Sequence, residues 1–301
     1  MLRLILWSLL LTPWALQAEP LRLSLDPPGA GSQKASYESS HAPKMMRKYW
    51  VHGQAENLSA QLLTADGVQH PLVPVQESGA SYLSFKTGFM DGPLHGVNQL
   101  YAQSRRVEGP DLRVETAQWY NVNHSCGWGH PFRAEPEGLA PKASGIDGLE
   151  LLVEHLWDGN LHKSTEAGDQ LQITALLKGK PVAGVELAVT TGSGWSKGLV
   201  SDEQGRAQVQ LIGDYFPGDW SRFKARHQSS LLITARYQSL QAGTFENQPY
   251  QSINYQTSLP WNFTPERSGY QKYETGALLG FGGFLASGLG VFFWRFKRRR
   301  W

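Results

Sequence analysis

The run Thr275–Trp294 contains no charged residue and ends against Arg295-Phe296-Lys297-Arg298-Arg299-Arg300-Trp301. At about 1.5 Å of rise per residue, its length matches the roughly 30 Å apolar slab of a bilayer. Residues 275–294 are therefore predicted to form a transmembrane helix, with 295–301 as a basic cytoplasmic tail. Trp294 and Trp301 suit the interfacial level, where amphipathic rings settle. Within the helix, Gly276 and Gly280 form a GxxxG pair, and Gly282, Ala286 and Gly290 follow at the same spacing. Small residues one turn apart let a second helix approach closely, so the helix is expected to self-associate or dock on a membrane subunit. Against that stands the general abundance of glycine in membrane helices.

The amino end differs. Arg3 precedes a short apolar run through Leu11, Pro13 breaks it, and Ala18 offers a small residue for cleavage. This is the layout of a signal peptide spanning 1–18, too short to cross a bilayer itself. Its removal leaves one span. The expected location is then the inner (cytoplasmic) membrane, single-pass, with Glu19–Glu274 in the periplasm or another extracytoplasmic space. The sequence around Thr264-Pro265-Glu266 does not present a sorting box for removal of the tail.

The formal net charge is +2, and much of the positive excess sits in the tail. No basic stripe interleaved with aromatics occurs, which disfavours nucleic acid as a partner. Cys126 is the one cysteine, so no intramolecular disulfide can brace the fold and its core must hold it.

Between the ends the pattern is β. Residues 19–46 are Pro-, Gly- and Ser-rich and read as a loop or arm. A first β region is expected over 47–145, where Leu58–Leu63 and Val68–Val75 flank the hairpin signal Asp66-Gly67 and Leu112–Val122 alternates. A second region, 146–245, is clearer. Leu171, Ile173, Ala175 and Leu177 share a face, as do Val185, Leu187 and Val189, and Arg206–Leu211 alternates too. Short strands at this spacing predict an immunoglobulin-like β-sandwich. Residues 246–274 are expected to add a final strand and a stalk. The fold class is thus mainly β, sandwich domains with a C-terminal transmembrane helix.

The second region carries a recognisable pattern. Gly179-Lys180-Pro181-Val182-Ala183-Gly184-Val185 is followed by Ser201-Asp202-Glu203-Gln204-Gly205-Arg206-Ala207 and by Gly218-Asp219-Trp220. It resembles the transthyretin-like (prealbumin-like) and carboxypeptidase-regulatory-like sandwiches. There Gly184 permits a bend, Asp202 caps a turn and Gly205 takes positive φ; these residues hold the fold and carry no chemistry. The whole layout is similar to a family of exported proteins known as periplasmic components of cobalt and nickel transport. The resemblance covers 145–245 by motif and the rest by layout. It departs at the mature end, Glu19-Pro20-Leu21, where members often carry histidine. It implies an accessory to transition-metal uptake that binds metal or a transporter subunit.

His124, Cys126 and His130 are the candidate ligands: a thiolate and two imidazoles suit Ni, Co, Cu or Zn, and Gly127 and Gly129 let the chain fold them together. The competing reading is a Gly- and Trp-rich turn with a buried thiol. His41, Met45, Met46 and His52 form a looser cluster, and His95 reads as a turn residue. His155 and His162 flank a loop tip. Gly194-Trp195-Ser196-Lys197-Gly198 spells GxSxG, but no helical pattern follows the serine, as a nucleophile elbow requires. Trp128, Trp157, Trp195 and Trp220 could line a sugar platform or fill a core. No motif for an enzyme stands out, so the expectation is a non-enzyme. The alternative to metal uptake is a structural or adhesive module that binds protein or glycan at the cell envelope.

Overall fold

A computed structural model describes residues 19–29, 47–85, 96–123, 140–156, 165–212 and 228–298. The described chain starts with β1 (Arg22–Ser24), β2 (Arg47–His52), β3 (Ser59–Leu63), β4 (Gln69–Leu72), β5 (Val75–Glu77) and β6 (Ala80–Phe85). Two 13-residue strands follow, β7 (Gly96–Glu108) and β8 (Asp111–Asn123). Then come β9 (Leu149–Glu154), β10 (Gln170–Leu177), β11 (Lys180–Pro181), β12 (Glu186–Thr191), β13 (Ser196–Val200) and β14 (Arg206–Gln210). β15 (Ser229–Ser239), the hairpin β16 (Gly243–Phe245) and β17 (Gln248–Tyr250), β18 (Ser252–Phe263) and α1 (Arg267–Arg298) complete it.

The protein is mainly β, as the alternation predicts. One eight-stranded sheet, ordered β13-β12-β15-β18-β8-β7-β3-β4, runs through both β regions. Its two halves join where β18 lies parallel to β8, Ser252 beside Asp111 through Ser258 beside Ala117. Asp111 fixes that register by accepting hydrogen bonds from Ser252 Oγ and, at 2.9 Å, from Asn254 Nδ2. Two smaller sheets cover this long one. β9, β10, β11 and β14 form one, with Leu171, Ile173, Ala175 and Val209 turned into a core shared with Val189, Ile233, Tyr255 and Leu259. β1-β2-β6-β5 form the other, packing Leu23, Tyr49, Val51 and Leu83 against Leu100, Ala102 and Ala117.

β7 and β8 feed both cores from opposite faces. Val97, Leu112, Val114 and Tyr120 belong to the first core, while Leu100, Ala102 and Ala117 belong to the second. Since strand side chains alternate, a strand serving two cores needs burial at nearly every position. Gly96 to Ser104 are all buried accordingly.

Three expectations change. Residues 19–29 are not a loose arm: Leu21 and Leu23 are buried and β1 pairs with β2, Arg22 opposite His52. The stretch Val68–Val75 is not one strand; it divides into β4, which pairs with β3, and β5, which pairs with β6, so Val73 and Pro74 carry the chain from one sheet to another. Of the final strand and stalk expected over 246–274, the strand is β18, preceded by the β16–β17 hairpin, and α1 begins at Arg267 where the stalk was expected. β18 pairs with β15 along eleven positions and lies inside the sheet. Alternating apolar residues in a Tyr-rich polar stretch (Ile253, Tyr255, Leu259, Phe263) explain why it is a core strand.

The turn between β13 and β14 is built as its sequence suggests. Asp202 Oδ1 accepts from Gln204 N at 2.9 Å and from Arg206 N at 2.8 Å. Gly205 has φ +73°, and a Cβ there would lie 2.8 Å from Ala175 O, so both conformation and space require glycine.

Candidate functional site

His124, Cys126 and His130, the sequence-predicted metal ligands, lie outside the described residues, as do His41, Met45, Met46, His95, His162, Trp128, Trp157 and Trp220. Among the described residues, no group of three or more His, Cys, Asp or Glu side chains is placed to hold a metal. His52 is buried near the start of the chain, where its Nε2 donates to Asp26 O at 2.9 Å. Burial holds its pKa below the usual imidazole value, against the opposing effect of that hydrogen bond. Ser196 opens the edge strand β13, 3.1 Å from Thr190 Oγ1, and Gly194 occupies the turn before it at φ +92°. Trp195 is half-buried and packs on the larger core. The GxSxG letters therefore span the end of the β12–β13 turn and the first residues of β13.

The junction between the two β regions is polar and buried. Glu150 is fully buried, and its carboxylate accepts from Ser144 N at 3.0 Å, Ser144 Oγ at 2.7 Å, Gly145 N at 3.2 Å and Tyr101 OH at 3.3 Å. Burial, reinforced by the Glu150 charge, pushes the Tyr101 phenol well above its ordinary pKa. Gln99 binds both backbone groups of Lys142, donating to its carbonyl at 2.8 Å and accepting from its N–H at 2.5 Å. Gln118 treats β9 the same way, donating to Leu151 O at 3.0 Å and accepting from Leu151 N at 2.7 Å. Tyr120 OH adds a bond to Leu151 O at 2.8 Å. These side chains complete a strand edge that would otherwise bury unpaired backbone groups. Their work is structural.

A recess of about 240 Å³ opens on the outward face of the small sheet, lined by His155, Asp169, Gln170, Gln172 and Gln208. Gln172 pairs across β10–β14 with Gln208, and Gln170 with Gln210. Strand alternation puts their side chains opposite Leu171, Ile173 and Val209, which pack the core. Gln170 Nε2 donates to Gln208 Oε1 at 3.0 Å. Asp169 is fixed at the rim, its Oδ2 accepting from Glu166 N at 2.8 Å. His155 follows β9 at φ +66°, a left-handed conformation uncommon outside glycine. Sequence reading assigned His155 to a loop tip and missed the glutamines, because a polar residue at every second strand position is also how any solvated sheet face reads.

At the other end of the body, three residues separate β18 from α1. Thr264 is tied down, its N–H donating to Thr165 O at 2.8 Å and its carbonyl accepting from Ala167 N at 2.7 Å. Trp261 Nε1 donates to Thr165 Oγ1 at 2.8 Å. Gly276–Arg298 is long and apolar enough to cross a membrane and makes no buried contact with the body. Arg295, Lys297 and Arg298 occupy its last turn, with the Arg298 guanidinium 4.6 Å from the centre of the Trp294 ring.

Fold and site together define a mainly β body of packed sheets carried on one apolar C-terminal helix. No protein family matches the chain, and no curated protein matches it. Among solved structures it is similar to the D0–D1 domain of intimin, at 12% identity and a TM-score of 0.22, covering 82% of this chain and 99% of that one. A TM-score this low carries no argument about function.

Proposed function

We propose that the protein is a membrane-anchored binding module of the cell envelope, acting by recognition rather than catalysis, with its β-body on the extracytoplasmic side. Orientation follows from Arg295, Lys297 and Arg298 at the end of α1, since basic residues flanking a span stay in the cytoplasm. One observation carries the reading: only Thr264, Pro265 and Glu266 separate β18 from α1, the helix that holds the span, with Thr264 bonded into the sandwich. A link this short keeps the body close to the start of α1, as a presenting module needs and a long flexible tether would not. The narrower role in cobalt or nickel uptake would add a metal on His124, Cys126 and His130.

Photo-crosslinking residues placed on the outward sheet face and on the β16–β17 hairpin test the module in intact cells. The expected result is a saturable adduct with one envelope component, lost when the body is exchanged for an unrelated sandwich. Adducts with lipid alone, or none from any position, overturn the reading. A reporter fused after Trp301 should be active in the cytoplasm; periplasmic activity there refutes the orientation.

A further inference from the structure

Resting on the binding-module reading, we infer that the recess formed by Gln170, Gln172, Gln208, His155 and Asp169 is a binding site for a neutral oligosaccharide. Its floor is the backbone of β10 and β14, held rigid because Leu171, Ile173, Ala207 and Val209 anchor the opposite side of the same strands in the core. Among the described residues its lining holds one carboxylate, Asp169, beside three amides and an imidazole. Asp169 holds its place by accepting the Glu166 N–H on Oδ2, and its other oxygen adds an acceptor beside the three amides.

An amide offers two donors and an acceptor with two lone pairs, and a sugar hydroxyl both donates and accepts. Neither partner gives up a hydrated charge on contact, so desolvation is mild. The Gln170–Gln208 bond uses one donor of Gln170 and one acceptor position of Gln208, which leaves these two amides a further donor and acceptor each for a ligand. Gln172 is half-buried, and among the described residues its amide has no hydrogen-bond partner. A ligand hydroxyl would supply one.

Size narrows the ligand further. At about 240 Å³ the recess falls below the roughly 300–1,000 Å³ of drug-sized sites. It fits one or two sugar rings of a longer chain that continues over the open sheet, where Gln210 and Thr174 extend the polar rows. Among the described lining residues none is an apolar side chain that a peptide would need, and the Asp169 carboxylate disfavours an anionic ligand.

The test uses the full chain in lipid nanodiscs, because sugar-headed detergents would compete for the site. Cellohexaose, chitohexaose and maltohexaose are titrated, with saturation-transfer NMR and calorimetry as readouts; the three separate plain glucans from N-acetylated ones. At least one is expected to bind saturably. Removing one hydrogen-bonding amide, in Gln172→Ala or Gln208→Ala, should weaken it about 3–10-fold, the scale of one lost hydrogen bond. Gln76→Ala on β5, in another sheet, should change nothing. Absence of binding up to about 10 mM, the weak end of specific recognition, overturns the inference. So does binding that survives the double variant Gln172→Ala/Gln208→Ala, or tighter binding of Zn²⁺ or Ni²⁺ that is lost in His155→Ala. Circular dichroism of each variant confirms the fold. If the sugars fail while the cellular crosslinks persist, the module reading stands and the ligand class is wrong.

Discussion

At the residue scale, His52 shows how one side chain makes stability depend on pH. Its folded pKa lies below the unfolded value because burial disfavours the imidazolium. The native state therefore binds fewer protons at this site than the unfolded chain does. The stability it contributes is present above the unfolded pKa, about 6.5, and is lost as pH falls below that value until the folded pKa is passed. In urea unfolding, His52→Gln should keep a donor toward Asp26 O and lose less stability than the parent between about pH 7 and pH 5. Equal losses in both proteins would remove His52 from the account. The metal proposal also belongs to single residues. If His124, Cys126 and His130 converge, the protein should take up nickel, cobalt, copper or zinc, and binding should weaken as pH drops through about 6.5, where imidazoles gain protons. Cys126→Ser removes the soft ligand and should cost most for copper. Calorimetric titration decides it: unchanged affinity after all three side chains are removed eliminates the site.

At the scale of elements, the edge of β9 depends on a side chain from another sheet. Gln118→Ala takes away the acceptor for Leu151 N and one donor to Leu151 O, while Tyr120 still serves that carbonyl. A buried N–H left without a partner costs about 1–3 kcal/mol. Urea unfolding should show a loss in that range; a loss below about 0.5 kcal/mol, the level of an ordinary surface substitution, would mean that the edge finds another partner. The same reasoning separates turn from edge. The Asp202–Gly205 turn is local, and its residues announce themselves in the sequence. The edge pairing joins Gln118 to Leu151 across 33 positions, and nothing about an isolated glutamine marks it.

At the scale of the whole molecule, the long sheet makes two cores interdependent. The larger core takes Ile253, Tyr255, Leu259 and Phe263 from β18 and Leu112, Val114 and Tyr120 from β8. All of these lie outside 146–245, the span in which the sequence suggests a self-contained sandwich. A fragment of 146–245 would leave one side of its core open to water and β15 without β18. Burial of each such Leu, Ile or Phe is worth about 1.5–3 kcal/mol, so their joint loss is comparable with the total stability of an ordinary domain, about 5–15 kcal/mol. The fragment is expected to show poorly dispersed amide NMR signals, while the full body unfolds in one cooperative step. A well-dispersed spectrum from 146–245 alone would show that the sheet is divisible.

The sequence by itself determined the features set by neighbours along the chain. The apolar span and its basic end follow from local composition. The strands of 149–211 follow from alternation, and the β13–β14 turn from Asp202 and Gly205. Tertiary structure alone decided which strands share a sheet. Parallel pairing of β8 with β18 joins Asp111 to Ser252 across 141 positions, and no turn or periodic signal records a contact of that separation. It set the expected final strand in the interior of a sheet and turned part of a presumed arm into β1. It also made a recess of Gln170, Gln172 and Gln208, residues that sequence alone reads as a solvated face. Alternation reports that a side chain points away from the core, but what else converges on it depends on where β9 and the 165–169 turn lie in space, and only the folded chain fixes that.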